Sequence, residues 1–287
     1  TPSDDYTATF TVTDNGTTNG SPDPKSGSAT LKVTIANLAP VVTSVTGPSV
    51  PLALGGSGVN ATVVTNFTDV GSKDTHTCTY TWDDLSAATT VSAPGTGNGS
   101  CSATHTYTAA GVYQVGVTVK DDDTGTATGV FQYVVVYDAN AGFVTGGGWI
   151  MSPAGAYAAN PTLTGRANFG FTSQYKKGAT VPTGETEFQF QVASFDFHSS
   201  DYQWLVVSGP LAQYKGTGTV NGVSGYSFLL TATDGAVNGG GGVDKFRIKV
   251  WNTATSAVVY DNSLGSSDDI NSANPEAISG GSIVIHK

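Results

Sequence analysis

Apolar and polar residues alternate with a period of two through most of the chain, and no stretch of roughly a dozen residues sustains a helical period. The first such run, Tyr6-Thr-Ala8-Thr-Phe10-Thr-Val12-Thr-Asp14, places Tyr6, Ala8, Phe10 and Val12 on one face of a strand. A turn rich in Asp, Asn and Gly follows, and then Gly27-Ser-Ala29-Thr30 leads into the alternating strand Leu31-Lys-Val33-Thr-Ile35. The same order recurs downstream, where Tyr113-Gln-Val-Gly-Val117-Thr-Val119-Lys-Asp121 precedes Gly125-Thr-Ala127-Thr128, and the first copy differs by a longer loop around Thr17 to Lys25. The second copy is preceded by several further strands, the first by five residues. Residues 1–38 therefore read as the back half of a β domain. A lone two-stranded hairpin is marginal in water, so this one is expected to need a partner sheet. The chain starts at Thr1 without Met, which points to processing or cropping.

Between Asn37 and Asp138 the pattern predicts about seven strands: one at Val41, Val42 and Val45, then Val59 to Phe67, Thr77 to Trp82, Thr89 to Ala93, Ala103 to Thr108, Val112 to Lys120 and Gly129 to Tyr137. Short strands with closely spaced turns predict an immunoglobulin-like β-sandwich over 39–138, with Trp82 in its core. The texture changes at Ala141. Strand candidates at Ala167 to Phe171, Glu187 to Val192, Tyr202 to Val207, Tyr226 to Thr231, Phe246 to Trp251 and Val258 to Tyr260 predict a second β domain over 142–287, a sandwich of jelly-roll type. The fold class is all-β throughout.

Composition adds a compartment. Charged residues make up 12% of the chain, about half of the ~25% usual in soluble domains, and 37 Gly supply turns. A net charge of −10 is the wrong sign for nucleic acid. No apolar run is long enough to cross a membrane, and no signal peptide is present. Cys78 and Cys101 flank the Gly-rich stretch Ala93-Pro-Gly-Thr-Gly-Asn-Gly-Ser100 and predict a disulfide, the alternative being two buried thiols. The disulfide reading implies an oxidising, extracellular setting.

Phe67-Thr-Asp69, Asp74-Thr-His76, Tyr80-Thr-Trp82-Asp83, His105-Thr-Tyr107, Gly111-Val-Tyr113 and Val117-Thr-Val119 together resemble a PKD domain. Such immunoglobulin-like modules serve secreted and surface proteins as spacers, adhesion modules or enzyme accessories. The chain departs from the family's Trp-x-Phe-Gly-Asp-Gly turn, having Trp82-Asp83-Asp84-Leu85-Ser86 instead. The segment from Gly146-Gly-Gly-Trp149-Ile through Ala167-Asn-Phe-Gly-Phe171, Gln203-Trp-Leu-Val-Val207 and Val243-Asp-Lys-Phe-Arg-Ile248 to the closing Gly-Ser-Ile-Val-Ile-His-Lys resembles a C-terminal β domain of bacterial secreted proteins, one without an assigned activity.

Catalytic sets are sparse. The histidines His76, His105, His198 and His286 lack zinc spacing, and there is no nucleophile elbow. Glu185 and Glu187, with Asp196, His198 and Asp201 nearby, read as a polar strand edge rather than a glycosidase pair, so no enzyme is expected. No cofactor is required by the sequence; calcium is the candidate cation, on Asp69, Asp74, Asp121 and Asp123, because hard cations need several oxygens and some PKD-like domains use acidic loops. The competing role for these residues is strand-end turn capping. A second acidic group is Asp261 with Asp268 and Asp269. Alternation in Phe246-Arg-Ile248-Lys-Val250-Trp251 leaves Arg247, Lys249 and Trp251 on an outer face, suited to a glycan or another subunit.

Two functions follow as expectations. In one, the chain is a homopolymer subunit of a pilus-like extracellular fibril, its N-terminal strand (Tyr6, Ala8, Phe10, Val12) inserting into a neighbour's immunoglobulin-like domain. In the other it is a cell-surface stalk or adhesion module, glycan-binding or attached to a larger enzyme.

Overall fold

The computed structural model of the chain describes residues 3–286, apart from the side chains of Ser3, Asp4 and Ile35. Thr1 and Lys287 of the closing motif lie outside the described residues.

The N-terminal ribbon pairs β1 (Ser3–Thr13) with β4 (Ser26–Ala36), and its tip carries the short pair β2 (Thr17–Thr18) and β3 (Ser21–Pro22). The register sets Tyr6 opposite Val33, Ala8 opposite Leu31 and Phe10 opposite Ala29. Directly opposed residues share a face, so one side of the ribbon is apolar and the other is almost entirely Thr, Ser and Lys. Phe10 is 59% and Leu31 53% exposed. The expected hairpin is present: the candidate donor strand β1 pairs with β4 from Ser3 to Thr13.

The second domain is the expected sandwich. One sheet runs β10-β7-β5, from β5 (Val41–Thr46), β7 (Val59–Thr68) and β10 (Gly99–Tyr107). The other runs β6-β12-β11-β8-β9, from β6 (Leu52–Ala53), β8 (His76–Thr81), β9 (Thr89–Ser92), β11 (Gly111–Asp121) and β12 (Thr126–Tyr137). Tyr113, Val115, Val117 and Val119 point into the core with Trp82, which is buried and stacks on Tyr80 and His105. Cys78 and Cys101 form the disulfide, tying β8 of one sheet to β10 of the other. The β11–β12 hairpin repeats the ribbon in detail: Asp121 N–H donates to Gly125 O and Gly125 N–H to Asp121 Oδ1, as Asp14 N–H donates to Lys25 O and Lys25 N–H to Asp14 Oδ1. The buried residues of both sheets form one core.

The third domain departs from jelly-roll order. Its strands are β13 (Phe143–Ser152), β14 (Gly165–Gln174), β15 (Thr183–Phe190), β16 (Phe195–Ser208), β17 (Leu211–Val220), β18 (Val223–Thr233), β19 (Lys245–Asn252), β20 (Val258–Asp261), β21 (Glu276–Ala277) and β22 (Gly280–His286). They form one antiparallel meander, β20-β19-β18-β17-β16-β15-β14-β13-β22, with β21 on β19. Short hairpin connections favour neighbours in sequence as neighbours in space. The sheet curls around a Phe- and Tyr-rich core, so that Phe169 of β14 stacks on Phe246 of β19 at 4.1 Å. The outer strand β22 is held to the far side as well: Ile283 N–H donates to Asp244 and Ile285 N–H to Asp234, at 2.8 and 2.9 Å.

The second and third domains meet over Val112, Tyr137, Trp204, Val206, Leu229 and Ile270, with Tyr137 stacked on Tyr175. Across this seam the carboxyl of Asp269 hydrogen-bonds that of Asp83, and burial, then this partner, pushes Asp269 up to about 6. A raised carboxyl favours the protonated fold. Its contribution is present below the unfolded value, about 3.9, and is lost as pH rises through about 6. Thermal stability is expected to fall between pH 5 and pH 7 in the wild type by more than in Asp269→Asn. Parallel melting curves for the two proteins across that range would refute the shared proton.

Candidate cation site and interdomain groove

Three strand ends converge at one end of the sandwich. Asp69 follows β7, Asp74 precedes β8 and Asp121 closes β11, so two sheets contribute. All three are buried, and a carboxylate oxygen of each lies within 4.8 Å of the others. Oxygens on opposite sides of one calcium stand about 4.6–5.2 Å apart, twice its ligand distance. Asp69 accepts from Gly71 N–H at 2.8 Å and from His76 Nε2 at 2.8 Å. Asp121 accepts from Gly125 N–H and, at 2.9 Å, from Asn37 Nδ2. Buried carboxylates this close are stabilised by a cation or shared protons.

Two further observations fit a cation. Asn37 Oδ1 is buried with no hydrogen-bond partner, which leaves a neutral oxygen ligand beside Asp121. Gly71 and Gly125 make room for the carboxylates: a Cβ at Gly71 would stand 2.0 Å from Asp74 Oδ2, and one at Gly125 2.3 Å from Asp121 Oδ2. The residues present thus suit an oxygen-seeking ion such as calcium. Of the four aspartates expected, Asp123 is not in the group, because the chain turns after Asp121 and carries it past the strand end; Asp122 caps Thr75 N–H instead. His76 and Asn37 were not foreseen. Asn37 lies between β4 and β5, and Lys73 Nζ sits 4.4 Å from the Tyr6 ring centre, so the aspartates stand at the joint between ribbon and sandwich.

The outer face expected at β19 is reordered. Phe246, Ile248 and Val250 are in the core as the alternation requires. Arg247 is also buried, paired with Asp261 and Asp268, because the segment after β20 returns over that face. Lys249 pairs with Asp268 at 2.6 Å. Trp251 alone of the three reaches a groove of about 1140 Å³ between the second and third domains, where Tyr133, Gln132, Gln203 and Lys215 also line the wall. Asp196 and Glu187 flank half-exposed His198 at 3.2 and 3.4 Å, a surface cluster, and Glu185 is exposed.

Residues 47–134 match the PKD domain family. The match lies within the sandwich and includes Asp69, Asp74 and Asp121, while Asn37 precedes it. Comparison of the chain with curated proteins and with solved structures gives no match. A PKD-type immunoglobulin-like sandwich points to an adhesion or structural module of the extracellular space. Among the described residues no helix is long and apolar enough to cross a membrane. The family's Gly-containing turn is replaced here by Asp83 and Leu85, both at positive φ, 61° and 64°. That turn carries Asp83 to the seam, with Asp83 Oδ2 accepting from Gln114 N–H, and sets Asp84 on His105 at 2.7 Å.

Proposed function

We propose that the chain is a structural and adhesive module of an extracellular bacterial surface assembly, joined to a neighbouring β structure through the apolar face of its N-terminal ribbon. It acts by spacing and binding rather than by turnover. The observation that supports this is the repeat: the face that β11 and β12 bury inside the sandwich is, in β1 and β4, open at Phe10, Val12, Leu31 and Val33. Covering such side chains is worth about 1.5–3 kcal/mol each. The ribbon edges also carry unpaired backbone groups suited to strand addition.

With a second copy as the neighbour, the contact is head-to-tail and extends into a fibril. On this reading the ribbon adds at a sheet edge and face of that copy. Sedimentation velocity and electron microscopy on the intact chain and on Phe10→Asp test this. Filaments or concentration-dependent oligomers from the intact chain, lost in the variant, are expected. Monomers from both would overturn self-assembly and leave the ribbon to a PKD-like neighbour in the same polypeptide.

A further inference from the structure

The groove between the second and third domains is built from irregularities in otherwise regular sheets. The pairing of β11 with β12 shifts between Tyr113 and Val115, leaving Gln132 and Tyr133 opposite the single residue Gln114. The pairing of β16 with β17 shifts between Tyr202 and Trp204, leaving Gln203 as an extra residue. A third shift falls at Val250 and Trp251 in the pairing of β19 with β20. Bulges re-aim side chains and cluster beside functional sites. All three here adjoin residues that line one groove, on both of its walls.

The groove holds one cation without an ion-pair partner among the described residues. The charged residues that line the groove are Lys215 and Asp268, and behind Asp268 stand Arg247 and Lys249. Both oxygens of Asp268 are occupied, one by Arg247 and one by Lys249. Among the described residues the Lys215 ammonium is in no salt bridge, and it lies 5.6 Å from the Trp251 ring centre. Burial holds this ammonium below its ordinary value, against the opposing pull of Asp268. It is a half-buried cation for which an incoming anion would be a new partner.

We propose that this groove binds a carboxylate-bearing sugar, with the Lys215 ammonium pairing with the uronate carboxylate, Trp251 and Tyr133 stacking on the pyranose faces, and the Gln132 and Gln203 amides taking hydroxyls. The residue types select this class. Aromatic rings present apolar faces to the C–H side of a sugar, and exposed amides offer both donors and acceptors for its hydroxyls. One available ammonium suits one carboxylate, whereas a phosphate is usually gripped by several donors or by a bidentate Arg. An open groove shared by two domains also accommodates a chain rather than a small ligand. This inference rests on the adhesive part of the reading above and is independent of whether the ribbon joins copies.

Titration calorimetry of the full chain with oligogalacturonate, its methyl ester and a cello-oligosaccharide tests it. Binding of the uronate is expected, weakened by salt, with Lys215→Met and the methyl ester each losing about tenfold or more, as removal of one charge-assisted contact implies. Gln203→Ala, at an exposed position, is expected to weaken binding without altering the melting temperature. Phe10→Asp is expected to bind as the wild type does, which separates this result from the assembly test. Equal affinity for the uronate and its methyl ester, wild-type affinity in Lys215→Met, or no binding of any of the three sugars would overturn the proposal.

Discussion

Arg247→Ala is expected to destabilise the protein by about 3–5 kcal/mol, the usual cost of removing one partner from a buried ion pair. The guanidinium uses all of its donors. Nε and Nη2 grip Asp261 at 2.9 and 2.8 Å, Nη2 also reaches Asp268 at 3.1 Å, and Nη1 donates to the carbonyls of Ser267 and Ala273. These contacts fasten the segment after β20 across the outer face of the meander. Truncation leaves Asp261 buried with the Ser263 N–H still donating to Oδ1 and with Oδ2 without its partner, so the loss exceeds what the contacts contribute when intact. Arg247→Lys should recover only part of it, since a point charge cannot span both oxygens of Asp261. Urea unfolding followed by tryptophan fluorescence measures the change. A shift below about 0.5 kcal/mol, typical of surface sites, would show that the side chain is not buried as described.

The same residue shows where reading by alternation stops. Period two separates the faces of β19 correctly, and Phe246, Ile248 and Val250 do enter the core. It carries no information about what lies on the other face, and here a loop distant from Arg247 in sequence covers it. The Asp69, Asp74 and Asp121 group was legible because each aspartate ends or precedes a strand whose position the pattern predicts. Asn37 was not, since a linker Asn has no period, and its place beside Asp121 comes from a contact between distant segments. Strand positions in the third domain were largely legible, whereas their order was not: both a jelly roll and a meander bury alternate residues. The groove was invisible for a similar reason. Bulges interrupt the very alternation from which strands are recognised, so Gln132, Tyr133 and Gln203 read as ordinary strand residues.

Calcium is expected to raise the stability of the sandwich by about 2.7 kcal/mol when its free concentration is 100 times the dissociation constant. The ion would neutralise three buried carboxylates from two sheets, Asp69, Asp74 and Asp121, and engage Asn37 Oδ1. Because Asn37 precedes β5, the same ion would fasten the ribbon to the sandwich and stiffen the joint on which the proposed end-to-end assembly would depend. Magnesium should substitute poorly, since it demands a tighter octahedron and gives up water reluctantly. Asp121→Asn removes one charge while nearly keeping the side-chain shape, so its melting temperature should respond little to calcium. Asn37→Ala is expected to keep part of the response but to lose the protection of the linker against protease. Melting curves recorded in chelator, calcium and magnesium decide the matter. If wild type and Asp121→Asn melt alike in all three, the aspartates are held by protons and by His76, and the stiffness of the joint has to come from protein contacts alone.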